Sequence, residues 1–220
     1  MAAAAAAALL AATSGSIASS STRYSEAGAK TGHSSSHTAK RSRSAIALRN
    51  QMRKLWEDHI VWTRMFIVSA LADLPDTDTA AARLLRNQDH IGNAIKPYYG
   101  KAAGEQLSLL LRDHILIAAD LVAAAKDGDS EGTDEAAARW SANAKEIADF
   151  LHSANAKHWP RSEMRSMMAE HLEWTLAEAV ARLNEDWSAD VRAYNRIHRD
   201  ILHMADMLSF GIIKQFPGKF

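Results

Sequence analysis

The stretch Leu48–Ala70, LRNQMRKLWEDHIVWTRMFIVSA, decides the fold. Leu48, Met52, Leu55, His59, Trp62 and Phe66 follow one another at steps of 4, 3, 4, 3 and 4. Residues at i, i+3, i+4 and i+7 share one face of a helix, so this stretch predicts a long helix packed in a bundle. One seam position holds His59, where an apolar residue is expected. The same exception recurs twice downstream.

Working outward, proline, glycine and aspartate punctuate the chain into helix-length pieces. The first helix is predicted over 44–72, because Pro75 cannot continue it. A second covers 78–96, with Thr77 or Asp78 as its N-cap, and Pro97-Tyr98-Tyr99-Gly100 ends it. A third covers 101–126 and stops at Asp127-Gly128-Asp129. The fourth, fifth and sixth cover 133–154, 161–184 and 187–213. Long helices joined by short loops favour antiparallel neighbours. The expectation is an all-α fold, an antiparallel up-and-down bundle of about six helices occupying 45–220 as one domain.

Composition agrees. The 220 residues suffice for one sizeable core. Four Pro and few β-branched runs speak against sheet. There is no Cys, which removes disulfides, thiolate metal sites and cysteine nucleophiles. The 26 basic and 26 acidic residues balance overall, but residues 1–44 hold five of the former and one of the latter. The remainder is net acidic, which argues against a nucleic-acid partner. Residues 1–44 read as a low-complexity or targeting tail. Ala2–Ala12 is far shorter than the roughly 20 residues of a membrane span. The lack of acid and the abundance of Ser and Arg suit an organelle transit peptide, plastid or mitochondrial. A secretory signal and a plain disordered tail are the alternatives.

The chain repeats itself. Asp58-His59-Ile60-Val61-Trp62-Thr63, Asp113-His114-Ile115-Leu116-Ile117-Ala118 and Glu170-His171-Leu172-Glu173-Trp174-Thr175 all read acid, His, aliphatic, any, large apolar, small. Leu84-x-x-Asn87-x-x-x-Ile91 and Trp140-x-x-Asn143-x-x-x-Ile147 share a second phrase, and Trp187-x-x-Asp190-x-x-x-Tyr194 is similar. A helical hairpin used three times would produce this pattern. Counting residues from each turn, at 1.5 Å per residue, brings His59, Asn87, His114, Asn143 and His171 within about one helical turn in height. They form a candidate polar layer midway along the bundle. On the sixth helix the same height falls near His198 and Asp200.

Three uses of such a layer compete. As a structural device, each imidazole is satisfied by an Asn, a Thr or a carbonyl, and the network sets helix register. As a metal centre, His59, His114 and His171 converge on one divalent ion, with Asp200 or His198 as a fourth ligand and the Asn residues behind them. As a pocket, the core binds a small molecule between Trp56, Trp62, Trp140, Trp174 and Tyr194. Dinuclear carboxylate chemistry lacks its Glu-x-x-His pairs, for Asp149-x-x-His152 and Asp200-x-x-His203 come no nearer than resemblance. A hemerythrin-like arrangement fails too, because the residues four after the three histidines are Thr63, Ala118 and Thr175. Asp76-x-Asp78 and Asp127-x-Asp129 read as turn and cap residues. No phosphate loop and no nucleophile elbow occur. The pattern favours a non-enzymatic binding or structural module, with a protein or small-molecule partner, over an enzyme.

Several motifs together resemble a known family. They are Leu55-Trp56-x-x-His59-x-x-Trp62-Thr63-Arg64, Arg83-Leu84-Leu85-x-Asn87-Gln88-x-x-Ile91-Gly92, Pro97-Tyr98-Tyr99-Gly100, Trp140-x-x-Asn143 and Gly211-Ile212-Ile213-Lys214-Gln215-Phe216-Pro217. Residues 47–220 resemble a family of uncharacterised, mostly bacterial, small helical-bundle proteins that are often exported. Some members are labelled acetylglutamate kinase or glycosyltransferase, chemistries for which the motif residues offer no machinery. The resemblance implies a helical fold and no particular activity.

Overall fold

The computed structural model describes the chain from residue 35 to residue 220, with side chains from Arg43 onward. Apart from 35–44, the expected tail lies outside the described residues, and with it the targeting readings. Five α-helices pack together: α1 Ser35–Leu71, α2 Thr77–Asp127, α3 Ser130–Ala154, α4 Arg161–Leu183 and α5 Trp187–Gln215. A short 3-10 turn, Pro217–Lys219, follows. No strand occurs among the described residues. No helix among them is long and apolar enough to cross a membrane.

The count differs from the expected six because residues 77–127 run as one helical element, with a break only at Gly100. Gly100 has φ 87° and ψ 171°, a backbone conformation that L side chains avoid. Pro97 stands within the same turn and can donate no backbone hydrogen bond. The break reverses the chain. Arg112, on the far arm, donates to the Leu85 carbonyl and to Asp89 on the near arm. The arms touch most closely at Gly92 and Gly104, where a Cβ on either would strike the other's carbonyl oxygen.

The remaining ends follow local chemistry. Gly128 takes the left-handed conformation at the end of α2, and its amide and that of Asp129 return to Ala125 and Ala124. The Asp129 side chain accepts from the Gly132 amide and caps α3, three residues ahead of the predicted start. Pro160 precedes α4, and Asp186 accepts from the Ala189 amide to cap α5. Thr77 does not cap α2. Its hydroxyl donates to the Leu74 carbonyl instead.

Neighbours in sequence are neighbours in space, and α1 closes the ring by packing against α5. At one end, two motif segments far apart in sequence meet. Tyr98 stacks on Phe220 at 5.5 Å, Tyr99 meets Phe216 edge-on, and Tyr99 Oη donates to Gln215 Oε1 at 2.6 Å. The largest apolar cluster fills this end, through Met52, Trp56, Ile91, Leu107, Ile147, Trp159, Met164, Ile201 and Leu208. Two small clusters, around Ile67 and Val122 and around Leu121 and Trp140, occupy the opposite end. The inward face of α1 is rotated from the predicted seam. Trp56, Ile60 and Ile67 are buried, whereas Leu55, Trp62 and Phe66 are only partly covered. Helix α1 is flanked by both α2 and α5, so its covered face is wider than a two-helix seam.

Candidate functional site

The histidine layer lies between the large apolar cluster and the two small ones. His59 comes from α1, His114 from the second arm of α2 and His171 from α4. All three are buried, at 2 %, 2 % and 7 % exposure. Their rings adjoin one another: His59 and His171 are 5.7 Å apart between centroids, and His114 and His171 are 6.1 Å apart. A cavity of about 40 Å³ opens beneath them toward the small clusters. Its rim carries the three imidazoles, Thr63 and Thr175; its walls include Leu84, Leu121, Val122, Trp140 and Ala179. A space of this size holds ordered water, which needs about 10–15 Å³, but not a ring the size of benzene, which needs about 150 Å³.

Hydrogen bonds assign the protons. Asn143 Nδ2 donates to the Leu110 carbonyl at 3.1 Å, so its Oδ1 faces His114 Nδ1 at 2.7 Å. An amide oxygen only accepts, so His114 carries its hydrogen on Nδ1. His114 Nε2 is then a bare, buried acceptor with no partner. His59 is the opposite. Gln88 Nε2 donates to the Leu84 carbonyl at 2.9 Å, which fixes the amide, and its other hydrogen meets His59 Nδ1 at 3.2 Å. His59 therefore carries its hydrogen on Nε2. His171 makes ring contacts but no ring hydrogen bond among the described residues. Thr63 and Thr175, each four residues on from a histidine, donate back to the carbonyls of His59 and His171.

Burial keeps all three imidazoles neutral. It lowers His59 to about 3, helped by the charge His114 would carry and opposed by the Gln88 bond. It lowers His114 to about 4, against the Asn143 bond. It drives His171 well below the ordinary range, with the other two histidines adding to the effect. A neutral imidazole has a lone pair to offer to a donor or a metal. Among the described residues, however, no three His, Cys, Asp or Glu side chains come together as a metal ion requires.

Of the residues singled out in the sequence, His59, His114 and His171 adjoin one another, and Asn143 bonds to His114. Asn87 Nδ2 donates to the Leu55 carbonyl at 3.0 Å, the same bond that Asn143 makes to Leu110. His198 and Asp200 do not join the layer. His198 Nε2 pairs with Glu57 Oε1 at 2.7 Å near the surface, and Asp200 accepts from Arg196 at 2.9 Å. Ile197, Ile201, Met204 and Leu208 take the inward face of α5 at helical spacing, leaving 198 and 200 to either side. Of Trp56, Trp62, Trp140, Trp174 and Tyr194, Trp140 alone lines the histidine cavity, where Phe66 joins it. Trp56 lies in the main core and meets His59 edge-on. Trp62 and Trp174 lie under Arg83 and Arg196 at 5.0 and 5.6 Å. Tyr194 lies under Arg64 at 4.7 Å.

A buried charge network, which the sequence pattern does not signal as such, joins α1, α4 and α5. Arg64 reaches Asp190 through both guanidinium nitrogens, at 2.7 and 2.9 Å, and Glu178 at 2.5 Å. Arg182 adds a bond to Asp190 at 2.8 Å. Glu178 and Asp190 are 1 % and 2 % exposed. Burial pushes Glu178 up to about 7 in spite of Arg64. Burial would raise Asp190 as well, but the bonds and charges of Arg64 and Arg182 outweigh it and hold the carboxyl low. The signal for it in the sequence is Asp190, an acid in Trp187-x-x-Asp190-x-x-x-Tyr194 where the similar phrases Leu84-x-x-Asn87-x-x-x-Ile91 and Trp140-x-x-Asn143-x-x-x-Ile147 carry Asn.

Comparison of the chain with family models, curated proteins and solved structures finds no match.

Proposed function

We propose that this chain is a non-enzymatic helical-bundle module for binding or scaffolding, in which the histidine layer sets the mutual register of the helices. One observation carries the reading. Asn87 and Asn143 make the same bond, each to the carbonyl four residues before a layer histidine on the preceding helical segment. A bond of this kind between side chain and backbone is lost if either helix slides by one turn. Three uses of one helical hairpin account for the pattern. The third has changed its chemistry, with Asp190 turned toward arginines rather than toward a histidine.

The test is substitution of Asn143 by Leu. It removes the donor to Leu110 and leaves His114 Nδ1–H without its acceptor, at a cost of about 1–3 kcal/mol for each orphaned buried group. The expected result is a lower melting temperature that is the same with and without chelator. An unchanged melting temperature would defeat the reading.

A mononuclear metal protein using His59, His114 and His171 is the second reading. What favours it is the bare Nε2 of His114, oriented from behind by an Asn carbonyl as metal-ligating imidazoles commonly are. Elemental analysis of the protein purified without a His tag tests it. About one divalent ion per chain, lost on His114→Ala, supports it. Membership of the exported helical-bundle family is likewise a proposal, supported by the motif segments. One of its supports is that the Pro97–Gly100 and Gly211–Pro217 segments pack against each other.

A further inference from the structure

His171 has a second face. Besides the inner cavity, it lines an outer groove of about 170 Å³ between α4 and α5. The groove is bordered by Glu163, Met167, Glu170, Met204 and Met207. Three properties of this groove belong together. The first is charge. Asp200 and the His203 imidazole also line the groove; Asp200 is paired with Arg196, but Glu163 has no ion-pair partner among the described residues, and Glu170 has only the Ser166 hydroxyl at 3.4 Å. The second is an unused acceptor. His171 is only 7 % exposed, and neither ring nitrogen is hydrogen-bonded among the described residues. The third is a soft apolar lining, since three thioether side chains border the space between the carboxylates.

We propose that this groove binds a short aliphatic diamine, with one ammonium on Glu163, the other on Glu170 and the methylene chain against the methionines. Glu163 and Glu170 are seven residues apart on α4, so they share a face and stand about 10.5 Å apart along the axis. Charge-assisted N–H···O bonds of about 2.8 Å at each end leave roughly 5 Å between the two nitrogens. A four-carbon diamine, about 6 Å between its nitrogens when fully extended, meets that distance with one gauche bond. It has six non-hydrogen atoms, as benzene does, and benzene occupies a cavity of about 150 Å³. The ammonium on Glu170 has a further proton to donate to the neutral imidazole of His171, the next residue along α4. A single metal ion suits the groove less well, because ligands bordering so wide a space do not reach one common point.

The proposal does not depend on the register role of the layer. A groove that binds nothing leaves the Asn bonds intact, and a failed register test leaves the groove as it is. The experiment is calorimetric titration of the full chain with 1,4-diaminobutane at low salt. Butylamine, butane-1,4-diol and magnesium chloride serve as comparisons. The expected result is saturable binding of one diamine per chain, weakened about tenfold or more in butylamine and absent for the diol. Glu163→Gln and Glu170→Gln are each expected to weaken it about tenfold, while Glu131→Gln, an exposed acid on α3, leaves it unchanged. Because Glu170 borders a buried residue, the methyl resonances of Met167, Met204 and Met207 in the unaltered protein supply a second readout. They are expected to shift with diamine and not with magnesium. No saturable heat at millimolar diamine, equal weakening by Glu131→Gln, or methyl resonances that do not move would overturn the proposal.

Discussion

Each layer histidine is neutral for a reason that can be tested separately. In the fold, burial lowers His59 to about 3 and His114 to about 4, and drives His171 well below its ordinary range. In the unfolded chain each titrates near 6.5. The unfolded state therefore binds more protons below that pH, and the histidines' contribution is full above about 6.5 and lost as pH falls toward 4 and 3. Glu178 acts in the opposite direction. Its folded value is raised to about 7, so its contribution is present below about 4.5 and is lost as pH rises through 7. Between about 4.5 and 6.5 the three histidines outnumber the one glutamate. Stability is expected to fall with acid at a net slope of about two protons, roughly 3 kcal/mol per pH unit. Denaturant unfolding across this range measures it, and His171→Leu should flatten the slope by about one proton. Arg64 is the second residue-scale test. Arg64→Met leaves Glu178 and Asp190 buried beside one remaining guanidinium, Arg182. A loss of about 3–5 kcal/mol is expected for breaking a buried pair from one side. Adding Glu178→Leu should recover part of that loss, which a double-mutant cycle would register.

At the scale of elements, the decisive feature is the turn inside α2. Gly92 and Gly104 let its two arms meet backbone to backbone, so Gly104→Ala puts a methyl against a carbonyl that cannot move aside. A loss of about 1–3 kcal/mol is expected, against the gain of about 1 kcal/mol that Gly→Ala brings to an unobstructed helix. A more stable Gly104→Ala protein would contradict the close approach. This element also shows what the sequence could reveal. Pro97 and Gly100 mark the reversal, and the helical arms run up to it on both sides, so the two predicted helices become two arms of one element that breaks at Gly100. Period and height bring His59, His114, Asn143 and His171 to one level, where the structure has them adjoining, since axial position depends only on residue count. They misplaced His198 and Asp200, since height does not say which way a side chain faces. Gln88, which fixes the tautomer of His59, was hidden beside Asn87 in the same motif. The Arg64 network was not legible either. Arg64 and Asp190 are 126 positions apart, and charged residues at such separations read as solvated surface until the fold brings them together.

At the scale of the whole molecule, a polar plane divides the interior into a large, well-filled end and a smaller, looser one. The filled end is closed by Tyr98, Tyr99, Trp159 and the C-terminal aromatics; the looser end holds the cavity and the buried charges. An apolar bundle without such a plane could slide its helices by a turn and still bury hydrophobic surface. A plane of directed bonds removes that freedom. In this plane the histidines are neutral, and Asn143 and Gln88 set the tautomers of His114 and His59. Long-range proton–nitrogen correlation spectra of the histidine side chains, recorded from pH 7 to pH 5, test this most directly. Three buried imidazoles that stay neutral throughout are expected, with His114 as the Nδ1–H form and His59 as the Nε2–H form. Imidazoles that become cationic above pH 6 while the protein stays folded, or a His114 protonated on Nε2, would contradict it.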